Sequence, residues 1–208
     1  MTQTTDPSGK IVQEYKDKLG QVVLKRAYDG LTAYSTYYVY DNSGLLRYVI
    51  SPLATEAIAN AALTTLPSNN EIIKGLCYYY QYDARKRMVE KQLPGADPVL
   101  MVYDTRDRMI LTQDGKTCDE DKQLTLKRWM YTKYDNLNRP IETGWMKTSD
   151  PWETLKSTFE NIIGLSTYSN EEVLTQTTYD AYPGSPEGTI NQNQSVKGMV
   201  TRTSSKNT

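Results

Sequence analysis

The chain has 208 residues, with 24 Lys and Arg against 25 Asp and Glu, and its 17 Tyr and 3 Trp stand beside a single Phe. A formal charge of -1 spread along the chain gives no basic field for a phosphate backbone, so nucleic acid is not an expected partner, and no run approaches the ~20 apolar residues that span a bilayer. The complete absence of histidine removes the usual general base near neutral pH, the commonest metal ligand and every Ser-His or Cys-His nucleophile pair.

The first predicted element is YKDKLGQVV, a degenerate strand–turn–strand unit centred on Asp17. A fuller copy follows in YYVYDNSGLLRYVI, with Asp41 and Gly44 in the reversal. SPLATEAIANAALTTLPSNNEIIKG comes next, and Ser51 and Pro52 read as the N-cap and first residue of a helix. A second helical turn is expected from Ser68, where Glu71 completes a Ser-x-x-Glu capping box and Gly75 offers a stop.

CYYYQYDARKRMVEKQLPG then carries Asp83 and Arg87, YDTRDRMILTQDG carries Asp104 and Arg108, and YDNLNRPIETG carries Asp135, Asn138 and Arg139. A helix start at Asp150, Pro151 and Glu153 leads into apolar Trp152, Leu155, Phe159, Ile162 and Ile163, mainly on one stripe, with Gly164 as its end. The C-terminal stretch YPGSPEGTINQNQSVKGMVTRTSSKNT reads as loop, with one strand-like run from Val196 to Arg202.

The aspartates that follow tyrosine, with Asp17 included, are separated by 24, 42, 21, 31 and 45 residues, which fits a 21-residue unit doubled once and padded elsewhere. Each unit reads as a β-hairpin. Its Asp opens an Asx-turn by accepting a backbone N–H two residues on. The third residue after that Asp is Gly20, Gly44, Lys86, Asp107 or Asn138. Gly, Asn and Asp tolerate the left-handed backbone of a type I turn closed by a G1 bulge; Lys86 is the misfit, and either a positive φ or a different turn is expected there. Period-two alternation puts Tyr78, Tyr80 and Tyr82 on one face, like Tyr38 with Tyr40 and Met101 with Tyr103, and this face is expected to pack inward. Arg87, Arg108 and Arg139 are expected to pair with aspartates of neighbouring units.

As a set, YVYDNSGLLRYV, YYQYDARKRMVEKQLPG, YDTRDRMILTQDG and YDNLNRPIETG resemble the YD repeats of the Rhs family, whose pattern is roughly Y-D-x-x-G-R-L. The likeness covers most of residues 11 to 145 and returns at TTYDAYPG. It implies an all-β fold with minor helix: antiparallel hairpin repeats in a curved open sheet or partial Rhs-type shell. It also implies a single YD-repeat segment over 1–208, with core repeats at 11–145, helical insertions at about 52–74 and 151–163, and a C-terminal strand and loop at 173–208. The family contains large exported or surface polypeptides, among them toxin-delivery proteins and adhesion receptors. The expected partner is therefore the remainder of a larger Rhs-type polypeptide, secreted or at the cell surface. No Rhs core boundary or toxin tip is recognisable here, and several repeat glycines are replaced.

The expected role is non-enzymatic, a scaffold or shell. Each repeat Asp has a turn role sufficient to explain it, and no catalytic, cofactor-binding or metal-binding residue is singled out. The acidic run DGKTCDEDK does not match a calcium loop and reads as solvated. Cys77 and Cys118 are too few for a disulfide framework and are expected as free thiols. An alternative is a carbohydrate-binding module with Tyr79, Trp129 and Tyr131 stacking on a glycan. A glycoside-acting enzyme using paired carboxylates is a distant third. The C-terminal edge strand offers a route to self-association.

Overall fold

The structure is a computed structural model that describes residues 1–5, 7, 9–65, 67–115, 126–165, 171–180 and 200–205. The chain forms two compact units, Met1–Val99 and Leu100–Thr208. Both are mostly antiparallel sheet, and neither closes on itself: among the described residues the first strand pairs only with the second, and the last only with the one before it.

The first unit contains β1 (Thr2–Thr5), β2 (Ile11–Lys16), β3 (Val22–Asp29), β4 (Thr32–Tyr40), β5 (Leu46–Ile50), β6 (Cys77–Tyr82) and β7 (Met88–Gln92), each pairing with the next in the chain. Between β5 and β6 lie α1 (Pro52–Asn60) and α2 (Glu71–Leu76). Ser51 caps α1 through a bond from the Ala54 N–H and Pro52 follows at the start, where a missing N–H costs nothing. In α2 the expectation shifts by two residues: Asn70, not Ser68, is the N-cap and accepts from the Ile72 N–H at 2.9 Å. Gly75 lies inside α2 rather than ending it, because Cys77 is already extended and begins β6 directly. The helices bring Ala54 and Ile73 against Ile50 and Cys77, with Val39 and Tyr48 at the margin.

The second unit contains β8 (Val99–Tyr103), which starts at the unit boundary, β9 (Met109–Gln113), β10 (Lys127–Tyr134), β11 (Pro140–Thr148), β12 (Glu171–Tyr179) and β13 (Val200–Ser205). Consecutive strands pair antiparallel. The expected C-terminal strand is thus β13, displaced toward the end; residues 196–199 lie outside the described residues. One helix, α3 (Trp152–Phe159), follows β11 with Pro151 at its N-cap and no side-chain cap bond, so Asp150 does not start it. Instead the Asp150 N–H donates to Thr148 Oγ1 at 3.0 Å. Leu155 and Phe159 of α3 are fully buried against Val102, Ile110, Leu111, Trp129, Tyr131 and Met146, each such apolar side chain contributing about 1.5–3 kcal/mol.

The inward face is the opposite of the one expected. In β6 the buried residues are Cys77 and Tyr79, whereas Tyr78 is 38% exposed; in β10 Trp129 and Tyr131 are buried and Met130 is 36% exposed; in β8 Val102 is buried while Met101 and Tyr103 are half-buried. Alternation tells which side chains share a face, but not which face is covered. In the first unit the covering comes from α1 and α2, on the face that Cys77 shares with Tyr79, and in the second from α3, on the face of Trp129 and Tyr131.

Candidate functional site

Five turns share one geometry. The Asp17, Asp41, Asp83, Asp104 and Asp135 Oδ1 atoms each accept two backbone N–H groups, from the second and fourth residues on, at 2.8–3.1 Å. The Asp N–H in turn donates to the carbonyl of that fourth residue, at 2.9–3.0 Å. The third residue after each Asp takes a positive φ: 84° at Gly20, 77° at Gly44, 65° at Lys86, 61° at Asp107 and 64° at Asn138. Lys86 therefore forms the same turn as its siblings. The strand register shifts just before each turn, as a bulged hairpin requires.

The second carboxylate oxygen is also engaged in the last three turns. Asp83 Oδ2 accepts from Arg87 Nε at 2.6 Å, Asp104 Oδ2 from Arg108 Nε at 2.8 Å and Nη2 at 2.6 Å, and Asp135 Oδ2 from Arg139 Nε at 2.7 Å. Each of these arginines pairs within its own turn, and the expected pairing with a neighbouring unit is seen at Arg139. The Asp–Arg spacing of four puts the guanidinium within reach of the second carboxylate oxygen and so adds a bond to a turn that Gln21 and Leu45 form without it. Arg139 adds a neighbour, Asp180 at 2.7 Å.

Links also run from one unit to the next. The Tyr40 hydroxyl donates to Val22 O at 3.0 Å, Tyr134 to Met109 O at 2.9 Å and Tyr179 to Pro140 O at 3.0 Å. In each case the acceptor is the first strand residue after the preceding Asp turn. Arg108 lies 5.0 Å from the Tyr134 ring centroid, and Arg139 lies 4.3 Å from that of Tyr179, both within cation–π range. Arg108 Nη1 reaches Asp135 O and Asn138 Oδ1, each at 3.2 Å, and in the degenerate copy Gln21 Nε2 reaches Gly44 O at 2.9 Å. Alternation along single strands gives no sign of these junctions.

Asp104 is the most enclosed of the set, with no exposed surface, and after the two bonds from Arg108 its Oδ2 accepts a third described bond, from the Gly164 N–H at 3.0 Å. Burial pushes its carboxyl up, but bonds from Arg108, Gly164 and Arg106 outweigh burial and hold it below the usual range. Glu142 behaves alike: burial raises it, and Gln176, Lys133 and Tyr131 together bring it down. Tyr131 lies across Gly144, its partner in the sheet, where an added Cβ would collide with the backbone carbonyl of Glu172 and stand 2.7 Å from the Tyr131 ring and hydroxyl.

The three residues expected to stack on a glycan are not available to one. Tyr79 is 4% exposed and Trp129 and Tyr131 are 0% exposed; the helices cover the face they occupy, and a covered ring presents no plane to a sugar. Tyr79 instead takes a bond from Arg47 Nη2 at 3.2 Å and donates to Gln81 at 3.3 Å. Cys77 is free and buried, and burial pushes its thiol up to about 11. Cys118 and the acidic run around it lie outside the described residues. Among the described residues no group of three or more acidic or Cys side chains is placed to hold a metal ion.

This geometry defines a tandem β-hairpin repeat, with each turn closed by its own Asp and, in three copies, by an Arg four residues later. Solved chains similar in fold are those of toxin assemblies. A TcdB2-TccC3-Cdc42 crystal structure matches 94% of this chain and 8% of that chain, at TM-score 0.59 and 14% identity. TcdB2-TccC3 alone gives TM-score 0.58 at 14% identity over the same shares. A Photorhabdus luminescens Tc holotoxin pore with a TccC3 mutation matches 85% of this chain and 7% of that chain, at TM-score 0.54 and 13% identity. The chain thus spans less than a tenth of the length of these solved chains, and the likeness is one of fold. No family model and no curated protein matches it.

Proposed function

We propose that residues 1–208 form a single structural YD-repeat segment of a larger Rhs-type polypeptide, a stretch of hairpin wall acting as scaffold or shell and performing no chemistry itself. The observation that carries this reading is the use of each repeat Asp: Oδ1 holds two N–H groups of its own turn, and in three turns Oδ2 holds the Arg. A carboxylate so engaged, beside an Arg that in two of the three turns is itself stacked on the next Tyr, is poorly placed for acid–base work. The fold likeness to much longer toxin chains and the resemblance of the Tyr-Asp units to Rhs repeats support the same reading. Export or surface display follows from that resemblance.

A density map of the longer polypeptide tests the proposal. It should show these hairpins continuous with further hairpins on at least one side, and a segment standing as an isolated domain on a linker would refute it. Protease treatment of intact producing cells, with the culture supernatant assayed in parallel, tests the location: the segment should be cleaved or released, and protection inside the cell would count against export.

A further inference from the structure

The segment that follows α3 is seated on the β8–β9 turn through its backbone. The Thr105 N–H donates to Ile162 O at 3.2 Å, and two residues on, the Gly164 N–H donates to Asp104 Oδ2 at 3.0 Å. Gly164 has φ +73°, which suits glycine. Nearby, Val102, Leu111 and Tyr131 give this seat an apolar floor, filled by Phe159 and its neighbours.

The next turn, between β10 and β11, repeats the arrangement with Asp135 for Asp104, Asn136 for Thr105, Arg139 for Arg108 and Tyr179 for Tyr134. Here no described segment is seated. A cleft of about 480 Å³ opens instead, where Lys133, Asp135, Arg139, Glu142, Gln176 and Tyr179 line it together with Ile141 and two threonines. Lys133, Glu142 and Gln176 stand where the preceding repeat has Val102, Leu111 and Tyr131, as the strand registers show. The floor has therefore changed from apolar to polar. Its charges are matched in place: Lys133 Nζ lies 3.0 Å from Glu142, and Arg139 holds both Asp135 and Asp180 at 2.7 Å. An ionic ligand gains little field from such a floor, whereas uncharged polar groups find donors and acceptors. The volume suits a few residues of peptide.

We propose that this cleft is the open counterpart of the filled seat, and that it accepts a short peptide segment of a partner chain with uncharged polar side chains. One carbonyl of that segment takes the Asn136 N–H, and a glycine N–H two residues later donates to Asp135 Oδ2. The backbone pattern is the one Ile162 and Gly164 present to Thr105 and Asp104.

The test is amide-resolved NMR of the 208-residue chain titrated with acetyl-Thr-Ser-Gly-Ser-amide. Three comparisons accompany it: the same peptide with N-methylglycine for Gly, methyl glucoside, and a Gln176→Leu variant of the protein. The expected result is shifts at Asp135 to Arg139, Glu142 and Gln176, with the Thr105 amide unmoved because it already donates to Ile162 O. The N-methyl peptide should bind about tenfold more weakly, through loss of one charge-assisted hydrogen bond. Gln176→Leu should weaken binding several-fold while the rest of the spectrum stays in place. No shifts at millimolar peptide, equal binding of the N-methyl peptide, unchanged binding in Gln176→Leu, or shifts at the cleft from methyl glucoside would each overturn the proposal.

Discussion

Arg108 Nη2 stands 2.6 Å from Asp104 Oδ2 in a pair whose carboxylate has no exposed surface. The equivalent pairs Arg87–Asp83 and Arg139–Asp135 have the same spacing but remain partly exposed. Removing the Asp104 charge leaves Arg108 buried without its partner, which costs about 3–5 kcal/mol. Asp104→Asn should therefore lower the urea midpoint far more than Asp83→Asn or Asp135→Asn. Equal effects at the three sites would show that enclosure by the segment after α3 adds nothing.

Lys86 has φ +65° in a turn where two sister copies carry Gly. A left-handed conformation costs a non-glycine residue about 1–2 kcal/mol, so Lys86→Gly should stabilise the protein, net of glycine's added unfolded-state entropy, by about 0.5–1 kcal/mol. Lys86→Val should destabilise it. Thermal unfolding of the two variants reads out both signs, and a Gly variant no more stable than the parent would mean that the Lys backbone is unstrained.

Gly144 pairs with Tyr131, whose ring and hydroxyl would stand 2.7 Å from an added Cβ. Tyr131 is fixed in turn by its bond to Glu142 at 2.9 Å. Gly144→Ala must displace both a buried ring and the adjoining strand backbone at Glu172, and overpacking of this kind costs about 1–3 kcal/mol. Denaturant unfolding checks the loss. A neutral Gly144→Ala would show that the ring and the Glu172 backbone both have room to move, against this packing.

Asp104 and Glu142 are both held below their ordinary values, burial pushing each up and its hydrogen bonds prevailing. The native state then binds fewer protons than the unfolded chain, so stability rises with pH through the acid window. Their contribution is complete above about pH 5, where the unfolded carboxyls are ionised, and is lost as pH falls through the lowered native values. Stability measured from pH 7 down to pH 2 should fall on the acid side and fall less in Asp104→Asn. An unchanged slope in the variant would remove Asp104 from this account.

Cys77 has no exposed surface and a thiol pushed up to about 11 by burial. In a Cys118→Ser background, iodoacetamide should label it only as the protein unfolds, at a rate that follows urea concentration. Rapid labelling under native conditions would contradict the packing of α1 and α2 over β6.

Much of the fold was legible because its determinants are local. The Tyr-Asp spacing marked the hairpins, and Ser51-Pro52 marked the start of α1. The positive φ at the third residue after Asp was legible from Gly, Asp and Asn, and Lys86 shows that the Asp bonds hold that conformation even where the residue resists it. The choice of inward face was not legible, since it depends on where Leu155, Phe159, Ala54 and Ile73 come to lie, far along the chain from the strands they cover. The same cover removed Tyr79, Trp129 and Tyr131 from any exposed surface. Asp104 looked like its siblings in sequence; its enclosure by Gly164, sixty residues away, is a tertiary fact.

Each repeat Asp is committed to closing its own turn. Native-state hydrogen exchange at the amides of Leu45, Arg87, Arg108 and Arg139, which donate to Asp Oδ1 at 2.9–3.1 Å, tests it most directly. In single Asp→Ala variants of Asp41, Asp83, Asp104 and Asp135, protection should collapse at the amide four residues on, and for Asp104 also at the following turn through Arg108 and Asn138. Protection retained at those amides after the aspartate is removed would contradict the account and free these carboxylates for another role.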